Sequence, residues 1–142
     1  MSKINFVAPC GIYCGACRQY LLKKKNLLEE RGYKQGCDGC RIRNKNCTFI
    51  KKDCSSIRKK KYNFCYECEQ FPCEKLYKLD NIYVNRYSVS PIKNLKKLQK
   101  LGLELWFKDK QVLYKCPKCG GEICIHDSEC FDCGNKINPN LK

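Results

Sequence analysis

Fifteen cysteines are the residues of this chain whose type and spacing could do chemistry, and they fall into two groups. Ten lie between Cys10 and Cys73, five lie between Cys116 and Cys133, and the 42 residues between the groups contain none. Cysteine thiolates bind metals such as zinc and iron, whereas in oxidising compartments cysteines form disulfides. Many of these cysteines occur as C-x-x-C pairs, whose short loops suit a metal ion better than a structural disulfide. The sequence therefore predicts metal sites.

Two C-x-x-C-G sequences near the C-terminus, CPKCGG and CFDCGN, are the most specific motifs. A two-residue loop lets both sulfurs of a pair face one ion, and the following glycine provides the positive φ that such a turn commonly needs. Two of these knuckles, ten residues apart, predict a short zinc ribbon around one tetrahedral Zn²⁺. Its four ligands are Cys116, Cys119, Cys130 and Cys133.

The N-terminal group contains three further C-x-x-C pairs and four single cysteines. The pairs are Cys14/Cys17, Cys37/Cys40 and Cys65/Cys68, and the single residues are Cys10, Cys47, Cys54 and Cys73. The first two pairs are separated by 19 residues, the spacing of a four-cysteine zinc site, and predict one site. The third pair predicts a second site together with Cys47 and Cys54. Cys10 and Cys73 are left over, and either can replace a single cysteine. With the ribbon, about three Zn²⁺ are expected.

Cys10, Cys14 and Cys17 also have the C-x₃-C-x₂-C spacing with which radical S-adenosylmethionine enzymes hold a four-iron cluster. A full (β/α)₈ barrel takes about 250 residues, and this chain has 142. Residue 16 is alanine, where radical enzymes usually carry an aromatic, and no glycine-rich cofactor-binding strand is present. An iron–sulfur or redox protein is therefore the alternative to a zinc protein.

The balance of charged residues is strongly basic, with a formal net charge of +15. Lysines number 23 and arginines 6, although arginine is the residue of bidentate phosphate and base recognition. Each zinc with four thiolates adds a charge of −2, so three such sites would leave about +9. The tracts Lys23–Lys25 and Arg58–Lys61, with Tyr62, Phe64 and Tyr66, favour RNA, DNA, a nucleoprotein or another protein as partner. A solvated lysine surface explains the same tracts.

No catalytic constellation is recognisable. The acidic residues form no pair at catalytic spacing, and no phosphate-binding glycine loop is present. The only histidine, His126, has no Ser or Cys partner at a recognisable spacing, and we interpret it as a surface residue of a hairpin. We interpret the chain as a non-catalytic zinc-binding module that acts through a basic surface. Zinc delivery or sensing is a further alternative, with Cys10, Cys73 or Cys124 as exchangeable ligands.

Short helices must position these cysteines. Apolar spacing predicts a helix from Cys17 to Arg31 that ends at Gly32, and another that begins at Pro72. The clearest helix is SPIKNLKKLQKLG, with Ser90 as N-cap and Gly102 as its end, followed by a helix from Leu103 to about Leu113. Trp106 in this last helix is interpreted as a packing anchor.

These elements predict a small metal-stapled α+β fold, with short helices and zinc knuckles, little regular sheet, and a C-terminal zinc ribbon. Three segments are expected: a cysteine-rich metal-binding module over residues 1–80, a helical middle segment over 81–113, and the ribbon over 114–142. No apolar signal core and no apolar run of about 20 residues is present, so a cytoplasmic protein with no membrane span is expected.

Several motifs together resemble a known family. In chain order they are PCGIYCGAC, GCDGCR, CYECEQFPCEKL, NLKKLQKLGLELWF and KCPKCGGEICIHDSECFDCG. From Pro9 to Gly134 this succession resembles the uncharacterised family known as domain of unknown function 3795. The resemblance implies a cysteine-rich, zinc-binding fold and no established activity. It also implies that Cys10 and Cys73 belong to the family motif, which favours both as ligands.

Overall fold

The computed structural model describes residues 3–34, 36–38 and 62–141, and within them it contains four α-helices and one small sheet. The helices are α1 (Arg18–Lys24), α2 (Glu74–Tyr87), α3 (Pro91–Leu101) and α4 (Leu103–Leu113). The strands β1 (Ile123–Cys124) and β2 (Glu129–Cys130) pair in antiparallel orientation. Short 3₁₀ turns occur at Lys3–Phe6, Cys14–Ala16, Cys65–Glu67 and Pro139–Leu141. This is a small α+β fold with little regular sheet, as predicted.

The helical pair α3–α4 forms where the sequence predicts it. The Ser90 side chain caps α3 by accepting a hydrogen bond from the Lys93 backbone N–H at 3.1 Å. A second cap comes from α2, because the Asp80 carboxylate accepts hydrogen bonds from the Ser90 hydroxyl and from the Ile92 backbone N–H. Gly102, with a φ of +86°, separates the two helices. Capping at both ends fixes α3 in place.

Two helix boundaries differ from the prediction. Helix α1 ends at Lys24 rather than Arg31, because Asn26 adopts a φ of +56°. The Leu27 N–H then bonds the Leu22 carbonyl at 2.9 Å, which is the closure of a Schellman motif. Helix α2 begins at Glu74, with Cys73 in an extended conformation as its N-cap, so that Pro72 lies before the helix instead of in its first turn.

The main hydrophobic core contains residues from the N-terminal loop, from α2, α3 and α4, and from the cysteine hairpin that follows α4, where the sequence predicts the ribbon. Trp106 is fully buried at its centre and packs edge-on against Tyr13, which confirms its role as a packing anchor. Helix α2 runs across residue 80, so the three expected segments share this core in the described part of the chain. A smaller cluster contains Leu21, Leu22, Cys124 and Phe131. None of the described helices is long and apolar enough to cross a membrane.

The N-terminal cysteine loop lies directly against α3 at Gly11. Gly11 has a φ of +90°, and a Cβ atom placed on this residue would lie 2.8 Å from the Leu95 Cγ and 2.8 Å from the Pro91 carbonyl oxygen. The buried Asn94 side chain donates a hydrogen bond to the Gly11 carbonyl at 3.0 Å. Only glycine allows this loop to approach the helix so closely.

Candidate metal centre

The four knuckle cysteines of the C-terminal hairpin are brought together, with all four sulfurs within 4.8 Å of one another. The Cys116 and Cys133 sulfurs are 3.7 Å apart, and those of Cys119 and Cys130 are 3.5 Å apart. A tetrahedral zinc with Zn–S bonds of about 2.3 Å requires sulfur–sulfur distances of about 3.8 Å. The cluster therefore fits a metal ion of this size with only small adjustments.

The two knuckles have the same backbone hydrogen bonds. In the first, the Cys116 N–H bonds the Gly121 carbonyl at 2.7 Å, and the Gly120 N–H bonds the Cys116 carbonyl at 2.9 Å. The second repeats both bonds, at 2.9 and 2.8 Å, with Cys130, Asn135 and Gly134 in the corresponding positions. Gly120 and Gly134 have φ values of +78° and +80°. The glycine after each C-x-x-C pair thus has the conformation that the sequence predicts.

Backbone N–H groups and neighbouring thiols set the ionisation of these sulfurs. Burial acts to raise the pKa of Cys116, but hydrogen bonds from the backbone of Cys119 and Lys118 and from the neighbouring thiols lower it to about 6. At Cys119 the Gly121 N–H acts to lower the pKa, whereas hydrogen bonding with the thiols of Cys130 and Cys133 raises it to about 12. The four thiols therefore share their protons, and a bound cation would replace those protons.

This geometry defines a class of protein, namely a small α+β fold with a four-cysteine cluster that could hold a metal ion. The chain belongs to the family described as "Protein of unknown function (DUF3795)", whose model matches residues 6–78, just over half of the chain. The match stops before the ribbon, so membership of the family supports the N-terminal part only. No curated protein and no solved structure gives a significant match.

The predicted N-terminal sites each include cysteines outside the described residues. Cys40 belongs to the first predicted site, and Cys47 and Cys54 belong to the second. Among the described residues, no group of three possible ligands other than the ribbon cluster lies within 4.8 Å of one another. The pairing of the N-terminal cysteines, the identity of the metal and the number of sites therefore stay predictions.

Two described C-x-x-C pairs form identical 3₁₀ turns, each after a buried aromatic residue. In the first, the Ala16 N–H bonds the Tyr13 carbonyl at 3.3 Å, and the Cys17 N–H bonds the Cys14 carbonyl at 3.1 Å. The second repeats these bonds at 3.1 and 3.2 Å with Phe64, Cys65, Glu67 and Cys68. The first cysteine of each turn, together with Cys10, is buried in the main core, and Cys73 packs against it. Cys17 is half-buried outside the main core, and the residue before it, Ala16, accepts a hydrogen bond from the Ile125 N–H of the hairpin at 2.8 Å.

His126 is not the surface residue that the sequence predicts. Its ring is half-buried and packs edge-on against Tyr83 and Tyr87, with ring centroids 6.1 and 4.9 Å away. Nδ1 accepts a hydrogen bond from the Arg18 backbone N–H at 3.2 Å. Burial, and then the Arg18 charge, lower the His126 pKa to about 4. His126 does lie in a hairpin, as predicted, but the predicted surface position was wrong because residues of α1 and α2 pack against this turn, and no local sequence signal shows such contacts.

The basic tract at the C-terminal end of α1 forms ion pairs within the protein. Lys23 pairs with Asp38 at 2.8 Å, Lys24 with Glu122 at 2.9 Å, and Lys25 with Asp132 at 2.8 Å. The second tract, Arg58–Lys61, lies outside the described residues. The aromatic residues between the tracts and α2 serve packing, because Phe64 is buried and stacks on Tyr66 at 5.2 Å. A partner that binds the tract Lys23–Lys25 would have to compete with these ion pairs, and binding at this tract stays a prediction.

Proposed function

We propose that this protein is a non-catalytic zinc-binding module that presents a row of lysines on α3 to the phosphate backbone of a nucleic acid. The zinc-binding part of the proposal is carried by the closed four-cysteine cluster. Four protein ligands leave no open coordination position for a substrate or for an activated water, which is typical of structural rather than catalytic zinc. The zinc would hold the two knuckles together next to the main hydrophobic core.

A row of exposed lysines on α3 supports the nucleic-acid part. Lys93, Lys96, Lys97 and Lys100 lie at i, i+3, i+4 and i+7, which places them on one face of the helix. None of them forms an ion pair within the described part of the chain, and α3 contains no acidic residue. This distinguishes the row from the paired lysines of α1.

One lysine of the row, Lys97, lies close enough to α4 for its charge to act on Lys110. Burial lowers the pKa of Lys110 on α4, and the charge of Lys97 lowers it further. Lysines act as point charges toward phosphates without base recognition, so binding that depends on salt and not on sequence is expected. The caps at Ser90 and Gly102 fix the helix backbone that carries the row, so no backbone ordering is needed for binding.

Elemental analysis of anaerobically purified protein tests the metal. We expect at least one zinc per chain and no iron, and Cys119→Ser should remove the ribbon zinc because three cysteines no longer close the site. Iron in place of zinc, with visible colour, would support the iron–sulfur alternative and refute the zinc assignment.

Fluorescence anisotropy with single- and double-stranded oligonucleotides tests the lysine row. A triple variant, Lys93→Gln, Lys96→Gln and Lys100→Gln, should weaken binding and reduce the salt dependence by about 0.9 per lost phosphate contact on duplex DNA. The matched control removes the same charge at three exposed lysines that form no ion pair among the described residues, Lys34, Lys115 and Lys118. Equal losses of oligonucleotide affinity in the two variants would show that binding depends on net charge and not on the lysine row. Absence of binding at low salt would refute the proposal and favour a protein partner.

A further inference from the structure

We propose that a cavity between α1, α4 and the first cysteine knuckle binds a small aromatic carboxylate. The cavity has a volume of about 230 Å³ and is lined by aromatic rings together with a few polar side chains. An apolar cavity of about 150 Å³ is large enough to hold benzene, so this space accommodates one aromatic ring with a small substituent. The inference does not rest on nucleic-acid binding.

Aromatic rings form a large part of the cavity wall. They come from the N-terminal loop, from α1, from α4 and from the residue after α4, and they are Phe6, Tyr13, Tyr20, Phe107 and Tyr114. The rings hold one another in place: Phe6 packs edge-on against Tyr20, with centroids 5.6 Å apart, and Tyr13 stacks on Tyr114 at 5.7 Å. Such a wall favours an aromatic ligand, because ring pairs attract each other beyond the effect of buried area and rings already packed lose little freedom on binding.

The hydroxyl of Tyr13 is a hydrogen-bond donor without a partner in this cavity. Tyr13 is only 7% exposed, and its hydroxyl forms no hydrogen bond with any residue that the structure describes. The oxygen lies beside Gly15, since a Cβ atom placed on that glycine would be 2.5 Å from it, and Gly15 itself lines the cavity. By contrast, the Tyr114 hydroxyl accepts a hydrogen bond from the Asn140 side chain at 3.0 Å. Buried polar groups normally have partners, and an acceptor on a ligand would provide one for Tyr13.

The charges around the cavity favour an anion. Its charged lining residues are two lysines and one glutamate, which gives a net charge of +1. Lys24 forms an ion pair with Glu122 at 2.9 Å, whereas the exposed Lys115 forms none with a described residue. The Lys115 Cε lies 3.7 Å from the place that a Cβ on Gly120 would take, so its amine is at the cavity rim. A cation would meet two ammonium groups and a carboxylate that is already paired, whereas a carboxylate would gain a charge-assisted donor.

NMR titration of the full-length chain, as purified, with sodium benzoate tests the cavity. Gly15, Gly120 and Gly121 line it, so their backbone amide signals serve as reporters. We expect these signals to shift saturably at millimolar benzoate. Benzylamine, which has nearly the same size and the opposite charge, and acetate, which has the carboxylate without the ring, should both bind more weakly. Absence of a saturable shift with benzoate would overturn the proposal.

Two substitutions with matched controls locate the site. Tyr13→Phe keeps the ring and removes the hydroxyl, so benzoate affinity should fall about tenfold, the effect of one hydrogen bond to a charged group. Lys115→Gln should lower it about threefold, because the amine is exposed to solvent. Tyr77→Phe and Lys118→Gln make the same changes at exposed residues that do not line the cavity, and they should leave the affinity unchanged.

The remaining outcomes also decide the proposal. Unchanged benzoate affinity in both Tyr13→Phe and Lys115→Gln would overturn it. Tighter binding of benzylamine than of benzoate would show that the rings enclose a cation, and equal binding of acetate would show that the rings take no part; either result would overturn it as well. If circular dichroism shows that Tyr13→Phe does not fold, Lys115→Gln and the comparison of the three ligands decide.

Discussion

The close approach of the N-terminal cysteine loop to α3 gives the sharpest stability prediction. Gly11→Ala places a Cβ at a φ of +90°, a left-handed conformation that costs an L-residue about 1–2 kcal/mol. The new atom would also lie 2.8 Å from the Pro91 carbonyl oxygen and from the Leu95 Cγ. Overpacking of this kind typically costs about 1–3 kcal/mol. The two costs predict a loss of about 2–5 kcal/mol, and separation of the loop from α3 would also break the buried Asn94 hydrogen bond.

Reversible urea unfolding followed by circular dichroism measures this loss. Free zinc must be held constant, because a bound metal stabilises the native state by mass action. Gly32→Ala is the matched control: its φ is +80°, and no described atom beyond its chain neighbours lies within 4 Å of the place its Cβ would take, so only the conformational cost of about 1–2 kcal/mol is expected. Equal losses in the two variants would refute the argument that contact with α3 makes glycine necessary at position 11.

Three further changes test the packing that supports the metal centre. Trp106→Ala should lower the free energy of unfolding by about 3–5 kcal/mol, because the ring is fully buried at the centre of the core, and a change below about 1 kcal/mol would contradict that placement. Asp80→Ala should cost about 1–2 kcal/mol by removing the shared cap at Ser90, whereas Asp80→Asn, which keeps an acceptor, should cost less in the same unfolding assay. Asp132→Ala should loosen the hairpin, because this carboxylate bonds Lys25, just after α1, at 2.8 Å and the Glu122 backbone N–H at 3.3 Å; faster metal loss to a chelator would show this, and Lys78→Ala, which removes an exposed pair, should not change the rate.

The elements that the sequence predicts well are those encoded by neighbouring residues. Ser90, Pro91 and Gly102 set the ends of α3 through caps that need no distant partner, and α4 follows at once. The ribbon cluster is similarly local, because each C-x-x-C-G knuckle turns on its own backbone hydrogen bonds. Asn26 shows how a local signal can be overlooked, since Asn is a known residue for left-handed helix ends, whereas the prediction placed the end at Gly32.

The features that sequence reasoning missed depend on contacts between residues about 100 positions apart. Lys24 meets Glu122, and Arg18 meets Asp127, only after α1 has packed against the ribbon. The burial of His126 and the bond between the Ile125 N–H and the Ala16 carbonyl follow from the same packing. Periodicity and motif spacing report neighbours along the chain, so they contain no information about these pairs.

The shared hydrophobic core extends beyond the segment that the family model matches. The match ends at residue 78, within α2 (Glu74–Tyr87), whereas the core around Val7 and Leu76 is completed by α3, α4 and the ribbon. A fragment cut at that boundary would end in mid-helix and leave these side chains in water, at a cost of about 25 cal/mol for each Å² of apolar surface. In this chain the segment matched by the family model is therefore smaller than the unit that shares one core, and the N-terminal motif needs the later helices and hairpin to cover it.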